Sequence, residues 1–208
     1  MIDERSLSAR LTLSAVAGIG ALVLLTGCGG EDSATAPTGA ATSAPTTTAA
    51  SQPPSAAFND ADVTFAQTMI VHHQQAVEMA ELAQTRAADS EVKDLAAKIK
   101  AAQDPEITTM TGWLSAWGKP TAPAEGHGGH AMSGMMTEED MEKLKAATGA
   151  EFDRMFLEMM IAHHSGAIEM AKTEQAQGIN PEAKQLAATI VTAQQAEIEQ
   201  MRKILDRL

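Results

Sequence analysis

The 208-residue chain carries a net charge of −12 and a pI near 4.8, with 3% aromatic residues, no tyrosine and 13 methionines. That acidity excludes binding to nucleic acid or an anionic membrane through basic patches. Ala, Leu, Ile and Met with few β-branched or aromatic runs favour helices over sheets, and nothing points to a nucleotide site.

Arg5 and Arg10 precede an apolar run from Leu11 to Leu25. It is too short to span a bilayer comfortably and suits the core of a signal peptide. It closes on Leu25-Thr26-Gly27-Cys28, which resembles a bacterial lipobox. Residues 1–27 therefore read as a lipoprotein signal peptide. Cys28 reads as the lipidated residue that would hold the mature chain on the outer face of the cell membrane. Cys28 is also the sole cysteine, which excludes an internal disulfide and a thiolate cluster. Residues 28–57 are rich in Ser, Thr, Ala and Pro, including Pro37, Pro45, Pro53 and Pro54. They are expected to form a disordered stalk without chemistry of its own.

The remainder, 58–208, is expected to fold. Sliding the chain by 91 residues aligns Asp62–Met110 with Asp153–Met201 without a gap, and 22 of the 49 positions are identical. Copies 62–117 and 153–208 each hold two helical patterns. These run from about Ala61 to Arg86 and Glu91 to Trp117, then from about Phe152 to Gln177 and Glu182 to the C-terminus. Asp89-Ser90 and Gly178-Ile179-Asn180-Pro181 break them, with Pro181 suited to a first helical turn. Asn59 and Asp62 suit an N-cap and first-turn acid. Two hairpins joined by a crossover, 118–150, predict an all-α four-helix bundle. Inside the crossover, Thr137-Glu138-Glu139-Asp140 has capping-box form and opens a short helix that Gly149 is expected to stop.

On the first helix Phe65, Met69, His72, Ala76, Met79 and Ala83 recur at steps of four and three, one core-facing seam. Phe156, Met160, His163, Ala167 and Met170 repeat it. His72 and His163 then point inward, while His73 and His164 sit about 100° round the helix on the flank. The partner helices place Gln103 and Glu106, and Gln194 and Glu197, among Leu95, Ile99, Ala102, Met110 and their counterparts. Glu78 and Glu169, kept in both copies, face away from the seam. A methionine stripe alone is ordinary core filling, and His72 and His163 paired with Glu106 and Glu197 would be an ordinary buried polar contact. Two features go further. The frame Met-x-x-His-His-x-x-Ala-x-x-Met-Ala is kept while the residues between drift. The crossover adds His127, His130, Met132, Met135 and Met136 on a Gly-rich backbone with no core to fill. Imidazole with thioether suits a soft metal, foremost Cu(I), with Cu(II) reached through the imidazoles; zinc rarely uses methionine.

These motifs, with Gly134–Thr137, Phe152-Asp153, Phe156-Leu157, Met159–Ile161 and His163-His164, resemble a secreted bacterial family, domain of unknown function 305. The resemblance spans nearly all of Asn59–Leu208 and implies a ferritin-like four-helix bundle and copper binding. Many members carry proline before the double histidine, where this chain has Val71 and Ala162; that affects helix geometry more than ligand identity. Carried onto this chain, the resemblance implies His72, His73, His163 and His164 as nitrogen donors and Met69, Met79, Met160 and Met170 as thioethers. His127, His130, Met132, Met135 and Met136 would form a looser, exposed secondary site, and Glu106 and Glu197 would orient the imidazoles.

The leading expectation is a lipid-anchored copper-binding protein that sequesters or hands over the metal without catalysis. Its transfer partner and oligomeric state are not legible. The rival is a ferritin-like redox or di-metal enzyme, but no Glu-x-x-His occurs on the four helices, against the di-iron pattern. A haem pocket would need a small-residue clearing and aromatic lining that the seam lacks. The third alternative is a structural or partner-binding lipoprotein whose histidines are core residues. Ser165 beside His164 cannot act as a nucleophile with it, since helix neighbours diverge.

Overall fold

A computed structural model describes residues 57–122 and 133–208. The signal segment, Cys28, most of the stalk, His127, His130 and Met132 lie outside the described residues. Five helices are described: α1 Asp60–Arg86, α2 Ser90–Ala116, α3 Glu138–Ala146, α4 Gly149–Gln177 and α5 Pro181–Arg207. No described helix is long and apolar enough to cross a membrane.

The helix ends follow local chemistry. The Asn59 side chain accepts from the Ala61 and Asp62 N–H groups while Asp62 accepts from the Asn59 N–H, a reciprocal capping box. The Asp89 side chain accepts from the Glu91 and Val92 N–H groups at the start of α2, the Asn180 side chain accepts from those of Glu182 and Ala183 at the start of α5, and Pro181 occupies the first turn of α5. Thr137 and Asp140 form the expected box at α3. That helix closes at Ala146, before Gly149; with φ +65°, Gly149 instead opens α4 earlier than the apolar pattern implies. Pro105 lies inside α2 without ending it.

α1 with α2 and α4 with α5 form two hairpins that pack as a ferritin-like four-helix bundle. Their mutual register is set by two crossed carboxylates. Asp62 of α1 accepts from the Ile179 and Asn180 N–H groups in the turn of the second hairpin (2.9–3.3 Å). Asp153 of α4 accepts from the Ala88 and Asp89 N–H groups in the turn of the first (3.0–3.2 Å). Each hairpin therefore begins at the other's turn, so α1 and α4 run antiparallel. Phe58 stacks on Trp117 at 4.7 Å, placing the end of α2 beside the start of α1. The crossover must then travel the length of the bundle before α4 begins, giving an up-down-down-up order.

The core falls into two apolar clusters. One gathers Met79, Leu95, Ile99, Leu144, Phe152, Phe156 and Met160. The other gathers Phe65, Met69, Met110, Leu114, Ala167 and Ile190. Ala102, expected on the α2 stripe, is exposed, and Gln103 is buried in its stead.

Position 174 breaks the repeat. Where the first copy has Ala83 and Ala87, the second has Glu174 and Gly178, and a Cβ at 178 would strike the Glu174 carboxyl. Glu174 is 1% exposed. Burial, then the adjoining Asp62 carboxylate, push its pKa up to about 8, so it holds its proton at neutral pH. Burial works against the charge of Asp62, but the N–H groups of Asn59, Asn180 and Ile179, with Glu174, outweigh it and keep that carboxyl below its ordinary value.

Asp153→Ala orphans two turn N–H groups and should cost about 2–4 kcal/mol in urea unfolding. Glu174 makes stability depend on pH with a defined sign. The folded chain retains a proton between the ordinary value of 4.5 and about 8 that the unfolded chain releases. Its contribution is full below 4.5 and is lost as pH rises toward 8. Glu174→Gln should match the parent near pH 4.5 and exceed it at pH 9; a gap independent of pH would refute the raised pKa.

Candidate metal centre

A single polar layer separates the two apolar clusters. His72 on α1 and His163 on α4 meet across the antiparallel interface with ring centroids 3.7 Å apart, tilted by 40°. Both are fully buried, and neither ring nitrogen of either has a hydrogen-bond partner. Burial, and then the neighbouring His73, lower the His72 pKa to about 3. Burial followed by His72 pushes His163 well below its ordinary value. Both imidazoles are therefore neutral, with lone pairs free for a metal.

His73 and His164, on the flank of the seam, are equally buried. It is these two, not His72 and His163, that pair with the acids. His73 Nε2 lies 2.7 Å from Glu106 Oε2, and His164 Nε2 lies 2.7 Å from Glu197 Oε2. The step of one residue has a simple cause: about 100° round the helix from the α1–α4 seam is the direction of the hairpin partner, α2 or α5. Both glutamates keep part of their side chains in solvent, 17% and 19%. Each carboxylate so fixes one nitrogen of its histidine and leaves Nδ1 unpaired, the arrangement by which an acid orients an imidazole ligand.

Gln103 and Gln194 add further buried side-chain atoms without partners. Apart from the two Glu174 oxygens, every unpaired buried side-chain atom found among the described residues belongs to these four histidines and two glutamines. Such groups cost roughly 1–3 kcal/mol each when left unmade. Concentrating them in one layer is a poor way to hold a bundle together and a good way to keep donors ready.

Met69 and Met160 precede the layer histidines by one helical turn and are fully buried. Met79 and Met170 stand seven residues beyond them, about 10 Å along the axis, so they are outside the layer. Met79 packs in the cluster with Phe152 and Phe156, and Met170 is only partly buried against the other cluster. Met135 is partly buried, and Met136 packs at the edge of the first cluster. Among the described residues no three His, Cys, Asp or Glu side chains converge as a metal-binding group. The donors at hand are paired imidazoles and thioethers, a set that fits a soft ion better than zinc.

The profile described as domain of unknown function (DUF305) matches residues 62–205. The chain belongs to the DUF305 family. A DUF305 protein of Streptomyces coelicolor, described as secreted, is 36% identical with a TM-score of 0.67, covering 71% of this chain and 93% of that one. A DUF305 fragment from Deinococcus radiodurans is 32% identical with a TM-score of 0.66, covering 72% and 98%. CopM in its Cu(II)-bound form is 36% identical with a TM-score of 0.62, covering 70% and 96%, and CopM is also known in Cu(I)-bound and silver-bound forms. An uncharacterised protein of Acanthamoeba polyphaga mimivirus is 46% identical over 54 residues, and the match spans 36% of that viral protein.

If the layer is kept for a ligand rather than for stability, His72→Leu with His163→Leu should leave the apo melting temperature unchanged or raised, because orphaned nitrogens are replaced by apolar volume. A fall equivalent to more than about 2 kcal/mol would mark the pair as structural.

Proposed function

We propose that this DUF305 protein binds copper outside the cytoplasm and sequesters it or hands it on, without catalytic turnover. The observation that carries this reading is the pair of neutral, unpartnered imidazoles His72 and His163, each one helical turn from a buried methionine, Met69 or Met160. Thioether and imidazole together favour Cu(I), with Cu(II) reached through nitrogen. The likeness to CopM in its copper-bound and silver-bound forms supports the same class of cargo. In this reading His72, His73, His163 and His164 supply nitrogen and Met69 and Met160 supply sulfur. Met79 and Met170 would serve packing. Glu106 and Glu197 hold the outer histidines in one orientation. His127, His130, Met132, Met135 and Met136 would form the weaker secondary site. An extracytoplasmic position fits the signal segment and the secreted Streptomyces relative, and the lipobox at Cys28 would tether the chain to the cell membrane.

The test is competitive Cu(I) titration of protein lacking residues 1–28, with zinc and iron alongside. The parent should hold Cu(I) against a strong chelator. Replacing the four histidines with alanine should abolish that binding and leave a weaker site. Equal affinity in the quadruple variant, or preferential loading with iron, would move the function to the structural or enzymatic alternatives.

A further inference from the structure

The crossover returns to the bundle at Ser133–Met136, and its seating there is specific. The Gln75 side chain accepts from the Met136 N–H and donates to the Met136 carbonyl, at 2.8 and 2.9 Å. Ser133 Oγ donates to Glu169 at 2.8 Å. Gly134, at φ +80°, runs so close to α4 that a Cβ there would lie 2.5 Å from the Ala162 carbonyl oxygen and 3.0 Å from that of His163. On the helix side, a Cβ at Gly166 would strike the Ser133 backbone.

Gln75 and Gly166 are the same position in the two copies of the repeat, inside the frame that is otherwise kept. One copy supplies a two-pronged clamp and the other supplies bare backbone. Both depart from each other in the way a strap laid across α1 and α4 requires, and neither change serves the α1–α4 seam. Gln75 is three residues from His72, so it stands 60° round from it, on the side away from His73 and α2. The strap thus covers the edge of the histidine layer that the hairpin partners do not.

We infer that Ser133–Met136 is the retaining strap of the histidine layer, and that Gln75 and Gly166 are the positioning residues that govern entry and exit of the ion. The inference rests on the metal reading of that layer for its consequence but not for its geometry. The strap must lift for His72 and His163 to exchange a ligand on this face, and its contacts set how often it does.

Two readouts separate the strap from the metal reading. In the apo protein, His72 and His163 should resist acylation by diethyl pyrocarbonate, scored by peptide mass. Gly166→Ala, which displaces Ser133, and Gln75→Ala, which removes both clamp hydrogen bonds, should make them react. In the Cu(I)-loaded protein, transfer to a colorimetric chelator should accelerate in either variant with stoichiometry retained, and in Gln75→Ala by about tenfold or more, the worth of the two lost hydrogen bonds. Should Gly166→Ala fail to fold, Gln75→Ala carries the test, since its side chain acts at the surface of α1. Unchanged acylation in a folded variant overturns the strap. Raised acylation with unchanged transfer overturns its control of exchange and assigns the route to the Glu106–Glu197 side. A parent that takes up no Cu(I) defeats the metal reading, and the acylation result still decides the strap.

Discussion

The crossed pair of carboxylates, Asp62 on the turn of one hairpin and Asp153 on the turn of the other, is the constraint from which the rest follows. A helical hairpin can slide along its neighbour at little cost when the interface is built from Ala, Met and Leu. Two buried acids, each accepting from N–H groups of the opposite turn, permit one register. In that register His72 and His163 meet, and Asn59 bonds to the Gln177 carbonyl at the far end of α4. The same lock makes the crossover long, because α2 ends at the opposite end of the bundle from where α4 starts.

Duplication explains the symmetry, and its exceptions mark where the copies took on different work. The two histidine–glutamate pairs have the same separation, 2.7 Å. Position 75/166 diverged to seat the crossover, and positions 83/174 and 87/178 diverged together because the Glu174 side chain occupies the volume that a side chain at 178 would need. Even the acids kept in both copies serve the crossover: Glu169 receives Ser133, and Glu78 pairs with Lys145 of α3 at 3.1 Å.

Much of this was legible in the sequence for a physical reason. A 3.6-residue period, Asn and Asp at helix starts, and a gapless self-alignment all report local structure, so the bundle, its hairpins and the inward histidines could be read. What could not be read depends on distance between elements. The helical period places His73 near a flank but does not say that Glu106 of α2 fills that flank. It places Met79 on the seam but not two turns from the layer. The partnerless state of Gln103 and Gln194 exists only once the helices are packed. The strap left a trace, Gln75 against Gly166 in a kept frame, whose meaning needed the path of the crossover.

The division of the core by a polar layer bears on cooperativity. Two apolar clusters that do not merge across four imidazoles are linked chiefly by the continuous helices and by the partly buried Val191, which touches both. Each end of the bundle can then fray without dragging the other with it. An ion held between His72 and His163 would join the ends into one unit and rigidify the molecule over its whole length. Loading would then be felt as stiffness far from the site, at the ends of the helices.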